Sequence, residues 1–173
     1  MKRKALVVNI VVLGGLLLLA LGLLAIHAVP PKRAPGAKLD LPPVLAGLRL
    51  EEVVTGRAAV EEINRLHGRP VISDSGVIAQ YGGELGKATV WITRARSPLQ
   101  ATWLLWRMNR RMRRGIQVFS APQQLEMEGR VVFVTEGLGQ KHFYYQSGAL
   151  ILWLAAPPYV ADGALRELLR RFP

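Results

Sequence analysis

The chain is 173 residues long and half apolar, with 23 lysines and arginines against 12 carboxylates and no cysteine. That length leaves room for one domain with a real core beside a terminal segment, and the missing thiols exclude disulfides, a thiolate nucleophile, a zinc knuckle and covalently attached c-type haem. The net charge of +11 is uneven: Lys2, Arg3, Lys4, Lys32, Arg33 and Lys38 carry more than half of it around one hydrophobic stretch, where cationic flanks meet phosphate headgroups.

After the basic residues 1 to 4, residues 5 to 29 (ALVVNIVVLGGLLLLALGLLAIHAV) hold no formal charge. At about 1.5 Å rise per residue they reach roughly 37 Å, enough to cross a hydrocarbon core of about 30 Å with some tilt, so the stretch predicts a transmembrane helix buried in the lipid bilayer. Its rival is a cleavable signal peptide ending near Ala28. An apolar run this far beyond the roughly 7 to 15 residues of a signal core favours an uncleaved, single-pass signal anchor. Gly14, Gly15 and Gly22 lack the four-residue spacing of a helix-pairing face. Lys and Arg tie at three on each side of the span. A short basic N-terminus stays inside, which places the N-terminus in the cytoplasm and the C-terminal domain outside a bacterial plasma membrane.

Residues 30 to 44 are rich in proline, which stops the helix and favours an extended stalk. The globular domain is expected over 45 to 173. It opens with a Leu-rich segment (Leu45, Leu48, Leu50), then an amphipathic helix over 56 to 67 that Gly68 and Pro70 close. A β-rich stretch runs from 71 to 81 with a turn at 73 to 76, and Gly82 to Gly86 read as a hairpin connection before a strand at 87 to 94. Ser97 and Pro98 start a helix that Gly115 stops after Arg114. Strands are expected at 116 to 120, 125 to 128, 130 to 136, 140 to 146 and 149 to 156, with a final helix over 162 to 172. A ββα pseudo-repeat is conceivable at 77 to 114 and 140 to 172. Short turns between strands point to an α+β fold: a mostly antiparallel sheet with helices packed on one face.

The helix at 97 to 114 is the informative one. Ala101, Leu104, Leu105, Met108 and Met112 form its core stripe, while the opposite side carries Leu99, Trp103, Trp106, Arg107, Arg110, Arg113 and Arg114. Trp103 with Arg107, and Trp106 with Arg110, are four apart, so a guanidinium can lie over an indole. Three readings compete: the tryptophans are covered and the arginines solvated; the face is a protein-binding patch, since Trp and Arg dominate interface hot spots; or it meets anionic lipid.

Catalysis has less support. His67 and His142 have no metal-ligand spacing, Ser73-Asp74-Ser75 lacks a nucleophile elbow, and Gly137-Leu138-Gly139 is a turn rather than a dinucleotide loop. The carboxylate pairs Glu61-Glu62 and Glu126 with Glu128 suit solvated faces. No cofactor or metal is nominated, and nucleic acid is a poor partner for an outward-facing domain. The strand running into Ser97-Pro98, the helix with Ala101 and Met108, and the sequence His142-Phe143-Tyr144-Tyr145 resemble, over residues 70 to 156, exported or membrane-tethered prokaryotic domains of unknown function, a resemblance that implies no activity and no catalytic residues. The sequence therefore predicts a binding or scaffold domain, an accessory component that meets a membrane or envelope protein through Trp103, Trp106, Arg107, Arg110 and Arg114. The alternative is an enzyme with a cleft near His142, Tyr144 and Tyr145.

Overall fold

A computed structural model of the chain describes residues 39 to 67 and 75 to 173. The expected basic N-terminus, membrane span and most of the stalk lie outside the described residues, as do Gly68, Pro70 and the turn residues 73 and 74. Among the described residues no helix is long and apolar enough to cross a membrane. The compact unit begins at Asp40, a few residues before the expected domain start, because the last stalk residues lie against it: the Tyr81 hydroxyl donates to the Pro42 carbonyl at 3.1 Å, and Arg171 pairs with Asp40.

In chain order the elements are β1 (Val44–Leu45), β2 (Leu48–Thr55), α1 (Gly56–His67), β3 (Ser75–Gly83), β4 (Gly86–Arg94), α2 (Pro98–Arg113), β5 (Gln123–Met127), β6 (Arg130–Gly137), β7 (Gln140–Ser147), β8 (Leu150–Ala156) and α3 (Pro158–Arg171). The strands form one sheet in the order β1-β2-β3-β4-β8-β7-β6-β5, antiparallel throughout. The expected α+β class with a mostly antiparallel sheet is the class observed.

Three elements depart from the sequence reading. The Leu-rich segment is a hairpin, and β2 continues to Thr55; its side chains are mostly exposed, so no alternation marks it. Residues 116 to 120 form a turn in which Ile116 and Phe119 bridge and Phe119 reaches Gly137. Both side chains pack under α2, a three-residue spacing that suits a turn better than a strand. Finally, α3 starts at Pro158 rather than Asp162, since proline's missing N–H costs nothing in a first helical turn.

The helices also do not share one face. Tyr144 and Gln146 of β7 bond to Asn109 and Thr102 of α2, whereas Lys141 and Ser147, on the opposite side of the same strand, bond to Asp162 of α3 and to the Pro173 carbonyl. With cover on both sides, the middle of β7 and most of β8 are buried on both faces, and this hides the division of the helices. On the α2 side a row of cross-strand neighbours runs Val54, Ile78, Trp91, Trp153, Tyr144, Phe133. Helix α1 covers the first three through Ala59 and Ile63, and α2 covers the last three through Met112, Leu105 and Met108. The stretches 77 to 114 and 140 to 172 supply matching hairpins, β3–β4 and β7–β8, that meet at Trp91 and Trp153, but the helices that follow them leave to opposite faces.

The sheet curls around α3. Glu167 accepts from the Ala46 amide in the β1–β2 turn at 3.1 Å, and Arg170 lies 3.7 Å from Glu128 in the β5–β6 turn. Eight flat strands at about 4.8 Å spacing would put those hairpins roughly 30 Å apart, beyond the reach of side chains three residues apart on one helix. Leu165 and Leu168 are fully buried, as are Leu45, Leu48, Val90, Leu152 and Leu154.

Candidate functional site

Helix α2 is fixed before it is displayed. The Ser97 hydroxyl accepts from the Gln100 amide at 3.1 Å while the Gln100 side chain accepts from the Arg96 amide at 2.7 Å, a variant of the S-x-x-Q cap in which the return bond reaches the residue before the cap. From the sheet, Gln146 donates to the Pro98 carbonyl and accepts from the Thr102 hydroxyl, both at 3.0 Å, and the Tyr144 hydroxyl donates to Asn109 at 3.0 Å. Beneath these clips lies a stack of rings: Phe133 on Tyr144 at 5.1 Å, and Tyr144 on Trp153 at 4.9 Å with an interplanar angle of 6°. Polar contacts and flat aromatic packing on one side set the azimuth of the helix, and so decide which residues face water.

At about 100° per residue, Leu99, Trp103, Trp106 and Arg110 fall in one narrow arc directly opposite the buried Ala101 and Met112. Leu99 is 79% exposed, Trp103 45% and Trp106 54%. The tryptophans are not covered by the Leu-rich hairpin, which lies at the far edge of the sheet. The Arg107 guanidinium sits 4.4 Å from the Trp103 ring centre and that of Arg110 sits 5.3 Å from Trp106. Leu99, Trp103 and Trp106, with Ser97, Gln100 and Thr102, line a shallow depression of about 670 Å³. Arg114, the last candidate of this face, is the exposed C-cap of the helix.

The charge around this face is one-sided. From Leu85 to Leu125 the chain carries Lys87, Arg94, Arg96, Arg107, Arg110, Arg111, Arg113 and Arg114 and no carboxylate. Elsewhere four arginines pair with the chain's own acids, Arg57 with Glu61, Arg65 with Glu62, Arg170 with Glu128 and Arg171 with Asp40. Among the described residues no carboxylate pairs with Arg107, Arg110, Arg111, Arg113 or Arg114.

The residues of the alternative cleft are not brought together. His142 and Tyr144 face α2, whereas Tyr145 points to the other side of the sheet. His142 is buried; its Nδ1 accepts from the Trp153 indole at 3.1 Å and its Nε2 donates to the Gly137 carbonyl at 3.0 Å. Both ring nitrogens are therefore occupied, with the Phe119 ring edge-on at 5.0 Å. Desolvation lowers the imidazole pKa, partly opposed by the Gly137 bond, and holds the ring neutral. Burial likewise pushes both tyrosine hydroxyls well above their ordinary range. Among the described residues the Tyr145 hydroxyl is buried without a hydrogen-bond partner, between its cross-strand neighbours Val132 and Leu152. These groups are part of the packed core.

Asn109, Gln146 and Gln100 orient α2 and were not singled out by the sequence. Only Gln100 carried a local signal, its place three residues after the capping serine; the others act across 35 and 44 residues. Among the described residues no group of three His, Asp or Glu side chains could hold a metal ion. No family model matches the chain, and no curated protein matches it. A crystal structure described as a GTP binding regulator from Thermotoga maritima aligns with 72% of this chain and 77% of that one, at 15% identity and a TM-score of 0.46, a level of likeness that carries nothing about activity.

Proposed function

We propose that this chain is a membrane-anchored binding domain, standing outside the cytoplasm on its proline-rich stalk and serving as an accessory component that contacts a membrane-associated protein through the outward face of α2. The observation that carries this reading is the solvent-facing arc of that helix, where Leu99, Trp103 and Trp106 occupy positions normally left to small polar residues. Each exposed indole represents apolar surface that association would remove from water, and Trp and Arg are the side chains that concentrate binding energy at interfaces. The charge-free stretch at 5 to 29 supplies the anchor in this reading, and tethering raises the effective concentration of partners in the same membrane.

The test uses the full-length chain purified from native membranes in mild detergent. Trp103→Ala with Trp106→Ala removes the co-purifying partner and leaves the melting temperature nearly unchanged, because both side chains are half in solvent. A double variant that keeps every co-purifying protein of the wild type overturns the proposal. So does release of the wild-type chain from membranes by high salt alone, which a spanning helix forbids.

A further inference from the structure

We infer that the surface receiving α2 is an apolar groove rimmed with carboxylates on a protein partner, an inference that rests on α2 being the contact helix. Leu99, Trp103 and Trp106 stand at i, i+4 and i+7, the spacing by which one helix face enters a hydrophobic groove. They span about 10 Å along the axis, a pocket-sized footprint. Beyond them the outward face turns abruptly to Arg107, Arg110, Arg111, Arg113 and Arg114. A helix lying in a lipid interface keeps its apolar face along its whole length; here no large apolar side chain follows Trp106 on the outward arc and arginines replace it, which suits a groove with a charged mouth.

The arginines point to the chemistry of that mouth. Four arginines elsewhere in the domain, Arg57, Arg65, Arg170 and Arg171, find carboxylates within the chain, and those of α2 find none among the described residues. Arg107 and Arg110 lie over the indoles, a contact that satisfies none of the guanidinium N–H donors with an acid and leaves them for two-pronged acceptors. The stack also holds each guanidinium in place, reducing the rotamer freedom it would lose when an acid arrives. The partner's Asp or Glu side chains thus complete the ion pairs that this helix leaves open.

The experiment places a photo-crosslinking amino acid at position 103 in the full-length chain, irradiates native membranes and identifies the adduct by mass spectrometry. The expected adduct joins a protein segment of apolar residues flanked by Asp or Glu. Arg107→Gln with Arg110→Gln lowers its yield by about tenfold or more, as loss of charge-assisted pairs requires, with the melting temperature retained. A protein adduct indifferent to those two substitutions overturns the carboxylate rim while leaving α2 as the contact helix. An adduct to a second copy of this chain overturns the inference while leaving α2 as a protein contact; a phospholipid adduct, or none, overturns the inference and with it the choice of a protein partner.

Discussion

His142 shows how one buried side chain ties strands to helix. Its two nitrogens need opposite roles, one accepting from Trp153 and one donating to Gly137, and only the neutral ring provides both. Protonation would turn the acceptor into a second donor facing an indole N–H. Because the folded-state pKa lies below the ordinary 6.5, the unfolded chain takes up the proton first. This contribution to stability is complete above about pH 6.5 and fades as pH falls through the folded value. Urea melts of the detergent-solubilised chain are therefore expected to give a lower unfolding free energy at about pH 5.5 than at about pH 7.5. In His142→Gln the decline is shallower; an equal decline in both proteins would remove His142 as its source. From sequence this residue is a histidine among aromatics, and its burial gave no local sign, since the carbonyl and the indole that engage it come from the end of β6 and from β8.

At the scale of elements, α2 was the most legible piece. Ser97-Pro98, the core stripe of Ala101, Met108 and Met112, and Gly115 bound it to within a residue, because capping and 3.6-residue periodicity are local properties. Whether the tryptophans face water was not legible, for it depends on Gln146 and Tyr144 reaching across from another strand. Ser97→Ala removes the acceptor for the Gln100 amide and is expected to cost about 1 kcal/mol, seen as a lower urea midpoint with an unchanged slope. A neutral result would show that water serves the Gln100 amide as well as the Ser97 hydroxyl does. Strand β2 escaped detection for the converse reason: near the sheet edge it buries little, so the pattern by which strands are recognised is absent from it.

For the whole molecule, the antiparallel class followed from the short turns at Glu128-Gly129 and Ser147-Gly148, while the curvature and the split of helices between faces did not. Those depend on contacts 121 residues apart, such as Glu167 with Ala46, which no local window contains. Leu168, fully buried where α3 meets the sheet, is the position at which this architecture is most exposed to damage. Leu168→Ala is expected to destabilise the domain by about 2 to 5 kcal/mol, measured by thermal or urea unfolding, whereas a loss under about 1 kcal/mol would mean that the sheet does not close tightly on α3.

Because α3 follows every strand it organises, the ribosome delivers the centrepiece of the core after its wrapping. Until that helix emerges, the hairpins have no common axle to close upon, and the curled sheet can lock into shape only once α3 has been made.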